Sequence, residues 1–164
     1  MTNNIIENIQ IKFLSETPEF IPTLAQWKYD AWNKYDPTLN MDDIIKNLRS
    51  KLNTTNKIPI TLIAIYNNLP IATVTLKEKI PIPGYEDRDL WLGSFLVHEK
   101  YRNQGIGIYI QNYVFSKAKE LGYSKISLFA SDPKAAEWYA KHQWNIFATD
   151  TYQDHPVTLL EHML

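Results

Sequence analysis

Between Leu90 and Gly107 the chain reads Leu-Trp-Leu-Gly-Ser-Phe-Leu-Val-His-Glu-Lys-Tyr-Arg-Asn-Gln-Gly-Ile-Gly, and this passage limits the possible folds more than any other. The apolar run from Leu90 to Val97 predicts a buried strand. A short polar loop follows. Ile106 then opens an amphipathic run with Ile110, Tyr113, Val114, Ala118 and Leu121 at helical spacing, which Gly122 closes. Gly105 and Gly107 sit at the strand-to-helix junction, where the lack of a side chain lets the backbone approach a ligand closely. The helix start adds amide N–H groups without partners and the positive end of the helix dipole. Together these predict an anion site, most naturally for phosphate. A bare Gly-x-Gly also serves as a tight turn, so the loop alone leaves both readings open. No Gly-Lys-Ser/Thr follows, which excludes a Walker loop, and no third glycine completes a dinucleotide fingerprint.

The rest of the chain supplies elements on either side. Ile9 to Leu14 alternates as a strand. Thr17 as cap and Pro18 at the first helical position predict a helix running to Trp32, with Phe20, Leu24, Trp27 and Ala31 inward. A second helix, Met41 to Leu52, has Asn40 as cap and Ile44, Ile45, Leu48 and Leu52 as its stripe. Asn53 to Lys57 is a polar loop. Ile60 to Tyr66 and Ile71 to Leu76 form a hairpin about Asn67-Asn68, since asparagine tolerates positive φ. Lys77 to Asp89 is irregular. Lys125 to Ala130 is a strand, and Ser131-Asp132-Pro133 starts a helix reaching about His142. Asn145 to Tyr152 and Val157 to His162 close the chain as strands, joined by Gln153 to Pro156. The order β-α-α-β-β-β-α-β-α-β-β predicts an α/β (α+β) fold, a mixed sheet with helices on both faces. No repeat, linker or composition shift interrupts it, so residues 1–164 are expected to form a single domain.

Arg102-x-x-Gly105-x-Gly107, preceded by Leu-Val-His-Glu-Lys, resembles the acetyl-CoA motif of the GNAT superfamily of N-acetyltransferases. A second, gapless resemblance runs from Asp132 to Trp144, where Ala135, Trp138, Tyr139 and Trp144 match the family pattern. Two positions depart from it: Asp132 stands for an Asn, and Gln143 for the Gly that ends the helix with positive φ. A non-glycine residue takes that conformation only at about 1 kcal/mol, so the helix is expected to end differently. The resemblance implies a mostly antiparallel sheet of about seven strands flanked by about four helices, with the fourth and fifth strands parallel and splayed at one end.

The resemblance also implies a site. Asn103, Gln104, Gly105, Ile106, Gly107 and Ile108 would hold the pyrophosphate of acetyl-CoA, with Arg102 adding charge. The backbone of Phe95, Leu96 and Val97 would pair with the pantetheine arm and polarise the thioester carbonyl. Asp132 would also touch that arm. Tyr139 would protonate the departing thiolate, because a thiol of pKa about 8.5 leaves more readily when a hydroxyl supports the developing anion. The acceptor pocket would draw on Trp27, Trp32, Tyr35, Tyr85 and Trp91, whose rings suit a cationic amine; Trp32, Asp89 and Trp91 are the substrate residues expected. Some relatives carry a Glu base where this chain has Gly93, so Glu86, Asp87 and Asp89 are the remaining candidates. His98, His142 and His155 read as loop or surface residues.

Composition narrows the function. A net charge of -1 suggests neither a nucleic acid nor an anionic membrane as partner. No apolar run matches a membrane span, and the first residues do not read as a secretory signal. The absence of cysteine excludes disulfides and a thiol nucleophile and fits a reducing, cytoplasmic setting. No His/Asp/Glu spacing suggests a metal. The expectation is an enzyme that transfers an acetyl group from acetyl-CoA to a primary amine of a small molecule or peptide, as a monomer or homodimer. Two alternatives stay open: a CoA-binding sensor without chemistry, and an unrelated α/β module with another phosphate ligand.

Overall fold

Strands that are apolar on both faces need cover on both sides, and the helices divide to supply it. The computed structural model describes residues 5–52 and 56–164, so the first three positions of the Asn53 to Lys57 loop lie outside the described residues. Its strands are β1 (Gln10–Phe13), β2 (Ile60–Tyr66), β3 (Leu69–Lys77), β4 (Trp91–Val97), β5 (Lys125–Ala130), β6 (Asn145–Tyr152) and β7 (His155–Met163). Its helices are α1 (Ile21–Trp32), α2 (Met41–Arg49), α3 (Ile106–Glu120) and α4 (Pro133–Lys141). The strands make one sheet in the order β1-β2-β3-β4-β5-β7-β6. Every pairing is antiparallel except β4 with β5.

On one face Leu62, Val74, Leu76 and Leu92 pack against Ile106, Ile110, Val114 and Ala118 of α3. On the other, Ile63 and Ile65 meet Ile21, Leu24 and Ala25 of α1 and Ile44 and Leu48 of α2. A third cluster of Ile82, Trp91, Val157 and Leu159 lies farther along the sheet. Side chains alternate along a strand, so Thr61 and its cross-strand partner Thr75 share the Ile63 face. Both are buried, and their hydroxyls bond to each other at 3.0 Å. The face that carries α1 and α2 therefore turns polar as β3 approaches Lys77.

Several element ends differ from the sequence expectation for local reasons. Helix α1 starts at Ile21, because Pro18–Phe20 form a 3-10 turn. Thr17 provides no side-chain cap there, and its hydroxyl donates to the Phe13 carbonyl instead. Asn40 does cap α2, accepting the Asp43 N–H at 3.0 Å. On α3 the inward position beside Val114 is Gln111, whereas Tyr113 is 38% exposed. Strand β7 begins at His155 rather than Val157, since Gln153 and Asp154 alone make the turn at φ 49° and 64°. Asn67 and Asn68 make the same kind of turn at φ 50° and 62°, as expected. Gln143 takes φ 77° despite its side chain, and the Trp144 N–H bonds to the Tyr139 carbonyl. The helix end is thus the one that glycine normally makes, and the expectation of a different ending is corrected.

Candidate active site

The parallel strands β4 and β5 meet at a single register pair, Trp91 with Ser127, where the Ser127 N–H bonds to the Leu90 carbonyl at 3.1 Å. Beyond that point they separate. Ser94 adopts φ 52°, and the β3–β4 register slips opposite it, between Thr73 and Thr75. Such a bulge bends a strand, and here it turns β4 away from β5. The main chain of Phe95, Leu96 and Val97 consequently presents an edge with no β5 partner. Arg88 holds the closed end of the fork. Its guanidinium donates to Ser127 Oγ at 2.9 Å and to Glu161 of β7 at 2.6 Å, and it stacks 3.5 Å over the Phe147 ring.

The β4–α3 loop rises from that edge. Arg102 turns back so that its Nε donates to the Val97 carbonyl at 2.9 Å, making it a loop tie. Asn103 and Gly105 both take positive φ, 61° and 80°. Gly105 is the N-cap of α3, and no side chain caps that helix. The first amides of α3, Ile106, Gly107 and Ile108, therefore keep the unpartnered N–H groups of a helix start. The two glycines serve different needs. Gly105 supplies left-handed backbone, while a Cβ on Gly107 would sit 3.3 Å from Trp138 of α4, so that position lets two helices close together.

A cleft of about 190 Å³ opens where β4 and β5 part. Ser94 and Phe95 line one side, with Leu128 to Asp132 opposite. Asp132 caps α4 by accepting the Lys134 N–H at 2.9 Å, so the departure from Asn leaves the helix start intact. Tyr139 lines the same cleft, its ring centre 6.4 Å from that of Phe95. Burial pushes the Tyr139 hydroxyl well above its ordinary pKa, which keeps it protonated at neutral pH. The far end of the cleft is made by Trp32, Tyr35, Asp36, Lys77 and Tyr152. Asp36 is tethered there: Thr38 donates to it from both N–H and hydroxyl, and Tyr152 donates its hydroxyl at 3.1 Å.

The structure thus brings Phe95, Asp132, Tyr139 and Trp32 together and leaves other expected residues apart. Trp91 is 1% exposed and belongs to the core beneath Tyr85, not to the cleft. Asp89 is exposed on the preceding loop and does not line the cleft either. Asp87 is exposed as well. Glu86 is a turn former: its carboxylate accepts the Gly84 N–H, and backbone hydrogen bonds lower its pKa. Tyr85 donates to Asp150 at 2.8 Å. His98 packs on Trp27 and His155 on Tyr35, while His142 stacks on Trp138 with ring centres 4.3 Å apart. Among the described residues no three His, Cys, Asp or Glu side chains gather as a metal would require. No helix among them is long and apolar enough to cross a membrane.

Three residues of consequence escaped the sequence reading. Lys77 ends the alternation Thr73, Thr75, Lys77, and that inward phase was its available signal. Asp36 had no comparable mark. Gln111 is fully buried and clasps two elements, donating to the His142 carbonyl at 2.9 Å and accepting from Trp144 Nε1 at 2.7 Å.

A forked sheet, a bare helix start beside it and a phenol lining the fork are the features that the resemblance of the two motifs implies. The chain belongs to the acetyltransferase (GNAT) family, whose model matches residues 21–144. No curated protein sequence matches it. Among solved structures, a GNAT family acetyltransferase from Elizabethkingia anophelis with acetyl-CoA bound is 22% identical, with a TM-score of 0.64, and the match covers 96% of this chain and 99% of that one. An aminoglycoside 6'-N-acetyltransferase complexed with coenzyme A is 14% identical, with a TM-score of 0.71 and coverage of 94% and 96%. An acetyltransferase from Streptococcus agalactiae 2603 is 16% identical, with a TM-score of 0.72 and coverage of 96% and 99%. At these identities the likeness is one of fold.

Proposed function

We propose that this protein moves the acetyl group of acetyl-CoA to the amine of a small molecule or peptide, by direct attack while both are bound. The observation that carries the reading is that Tyr139 and the unpartnered β4 edge at Phe95 line one cleft. The residues present fit acetyl-CoA. An open strand edge suits the amides of the pantetheine arm, and an uncapped helix start suits a diphosphate. In this reading the amides from Gln104 to Ile108 hold the diphosphate, Phe95 to Val97 align the arm, and Asp132 borders it. Bound acetyl-CoA supplies the thioester.

In the transfer the amine nitrogen bonds to the carbonyl carbon and the carbon–sulfur bond breaks. The sulfur gains the proton that the nitrogen sheds. A thiol ionises near pKa 8.5, well below the raised Tyr139 hydroxyl. Full proton transfer from the phenol to sulfur is uphill, so Tyr139 acts by donating a hydrogen bond to the leaving sulfur and relaying the amine's proton. Gly93 offers no carboxylate base, and the two carboxylates that line the cleft are already engaged, Asp36 by Thr38 and Tyr152 and Asp132 by the start of α4, so the amine enters neutral or loses its proton to water.

The test is thiol release from acetyl-CoA across a panel of amines, alongside calorimetric CoA binding. Turnover with at least one amine supports the reading. Tight CoA binding without turnover on any amine favours the sensor alternative. Absence of CoA binding returns the glycine loop to another phosphate ligand.

A further inference from the structure

The face of the sheet that carries α1 and α2 holds a feature that acetyl transfer does not itself require. Gly93 pairs with Thr75 across the β3–β4 ladder, two residues before Lys77. A Cβ built on Gly93 would lie 2.8 Å from Lys77 Cε and 3.0 Å from its Nζ. The lysine therefore lies across the space that a side chain at position 93 would fill, and it lines the cleft. Lys28 of α1 and Lys51, just past α2, stand near it. Burial first, and then the charges of Lys51 and Lys77, lowers Lys28 to a pKa of about 7. Burial and the charge of Lys77 bring Lys51 to about 8, and burial lowers Lys77 as well. Among the described residues, Lys28 and Lys77 have no carboxylate within ion-pair distance. The titratable groups on the cleft wall are Asp36, Asp132, Tyr35, Tyr152 and Tyr139, and Asp132 caps α4 by accepting the Lys134 N–H. Asp36 already accepts three hydrogen bonds from Thr38 and Tyr152.

Three mutually repelling ammonium groups, two of them without an ion-pair partner among the described residues, are costly to fold around unless something fills the gap. Polyamine acceptors would add to that repulsion. We propose that Lys77, backed by Lys28 and Lys51, seats a carboxylate carried by the acceptor, so that the substrate is an amino-acid-like amine. The amine then lies on the Ser94–Phe95 side of the cleft, where the β4 edge is open, and the carboxylate lies against the Lys77 ammonium, beside Gly93. A Glu at position 93 would itself occupy that seat. Gly93 is thus a specificity determinant, leaving the lysines to the ligand. This inference rests on the acetyltransferase reading for its substrate, but its test does not need turnover.

The probes are N-acetylated alanine, glutamate and phenylalanine, each matched with its counterpart lacking the α-carboxylate, titrated by calorimetry with CoA present. The expected result is at least tenfold tighter binding of one or more carboxylate members. At pH 8 that binding takes up protons, because lysines left partly neutral recharge against the anion, and the uptake fades below pH 6, where all are already charged. Lys77→Gln and Gly93→Glu should each erase the preference, whereas Lys77→Arg should keep it. Equal affinity within every pair overturns the proposal, as does no measurable binding of any member or a preference that survives both Lys77→Gln and Gly93→Glu. Failure of every amine in the thiol-release assay would sink the acetyltransferase reading while leaving a carboxylate preference standing, so the two failures are distinguishable.

Discussion

On the β4–β5 side of the cleft the groups open to a ligand are mostly main chain: the edge at Phe95 to Val97 that has no β5 partner and the uncapped amides at Ile106 to Ile108. On the α1–α2 side they are side chains, Trp32, Tyr35, Asp36 and Lys77, drawn from two well-separated stretches of sequence. Main-chain sites need particular φ values and close approaches, so they demand glycine at fixed spacing. Side-chain sites need only that a polar group arrive from somewhere. One wall is therefore suited to a constant partner, and the other can change its preference through single residues such as Gly93 and Lys77. The first prediction probes the side-chain chemistry proposed for the main-chain wall. Tyr139→Phe should lower kcat about a hundredfold, near 2.7 kcal/mol in the barrier, with little change in CoA affinity. A loss under threefold would leave that wall with binding and no chemistry.

The walls also differ in what supports them. Tyr139 is positioned by the end of α4, where its carbonyl accepts the N–H groups of His142 and Trp144. That end is tied to α3 by the buried amide of Gln111. Gln111→Leu leaves the Trp144 indole N–H and the His142 carbonyl without partners. It should cost about 2–3 kcal/mol in chemical denaturation. A loss under 0.5 kcal/mol would show that water or repacking satisfies both groups.

The lysine wall carries a penalty instead of a clasp. Lys28 titrates at about 7 in the folded chain and at 10.5 without its surroundings. Between those values the unfolded chain binds more protons, so stability rises with pH across that window, at up to about 1.4 kcal/mol per pH unit. Below pH 7 the penalty is complete. Discounted because Lys28 keeps some contact with water, Lys28→Met should add about 2 kcal/mol at pH 6 and almost nothing at pH 10.5. A gain that does not vary with pH would mean that packing, not charge, is responsible.

The contrast between the walls also explains what could be read before the structure. The element order, the hairpin at Asn67-Asn68, the Asn40 cap and the glycine loop all announce themselves through local periodicity or φ demand. The family resemblance from Asp132 to Trp144 singled out Tyr139, which lines the cleft. Trp91 was misplaced because an aromatic residue at a strand start looks the same whether it faces a pocket or a core, and here it faces a core. Asp36 and Arg88 act across long sequence separations: Arg88 reaches Ser127 and Glu161, and Asp36 reaches Tyr152. No local pattern encodes such pairs. Gly107 was read as ligand-facing, yet its geometry is also set by Trp138, because one missing side chain satisfies either need.

The smallest effect concerns a place where the wall that carries Tyr139 takes positive φ without a glycine. Gln143 holds φ 77° beyond the end of α4, where glycine carries no penalty. Its neighbours keep the helix end intact: the Trp144 N–H reaches the Tyr139 carbonyl at 3.2 Å, and His162 bonds to the Gln143 carbonyl at 2.7 Å. The side chain itself is exposed. Gln143→Gly removes the left-handed strain, worth about 1 kcal/mol, but loosens the unfolded chain by up to about 1 kcal/mol. Relief should win narrowly, because the conformation is already imposed by those two hydrogen bonds. The expected gain is therefore about 0.5 kcal/mol in thermal or denaturant unfolding, with thiol release unchanged. A loss of stability would mean that the polar side chain helps to set the turn. A change in rate would mean that the strain reaches Tyr139 through its own carbonyl, joining the helix end to the chemistry.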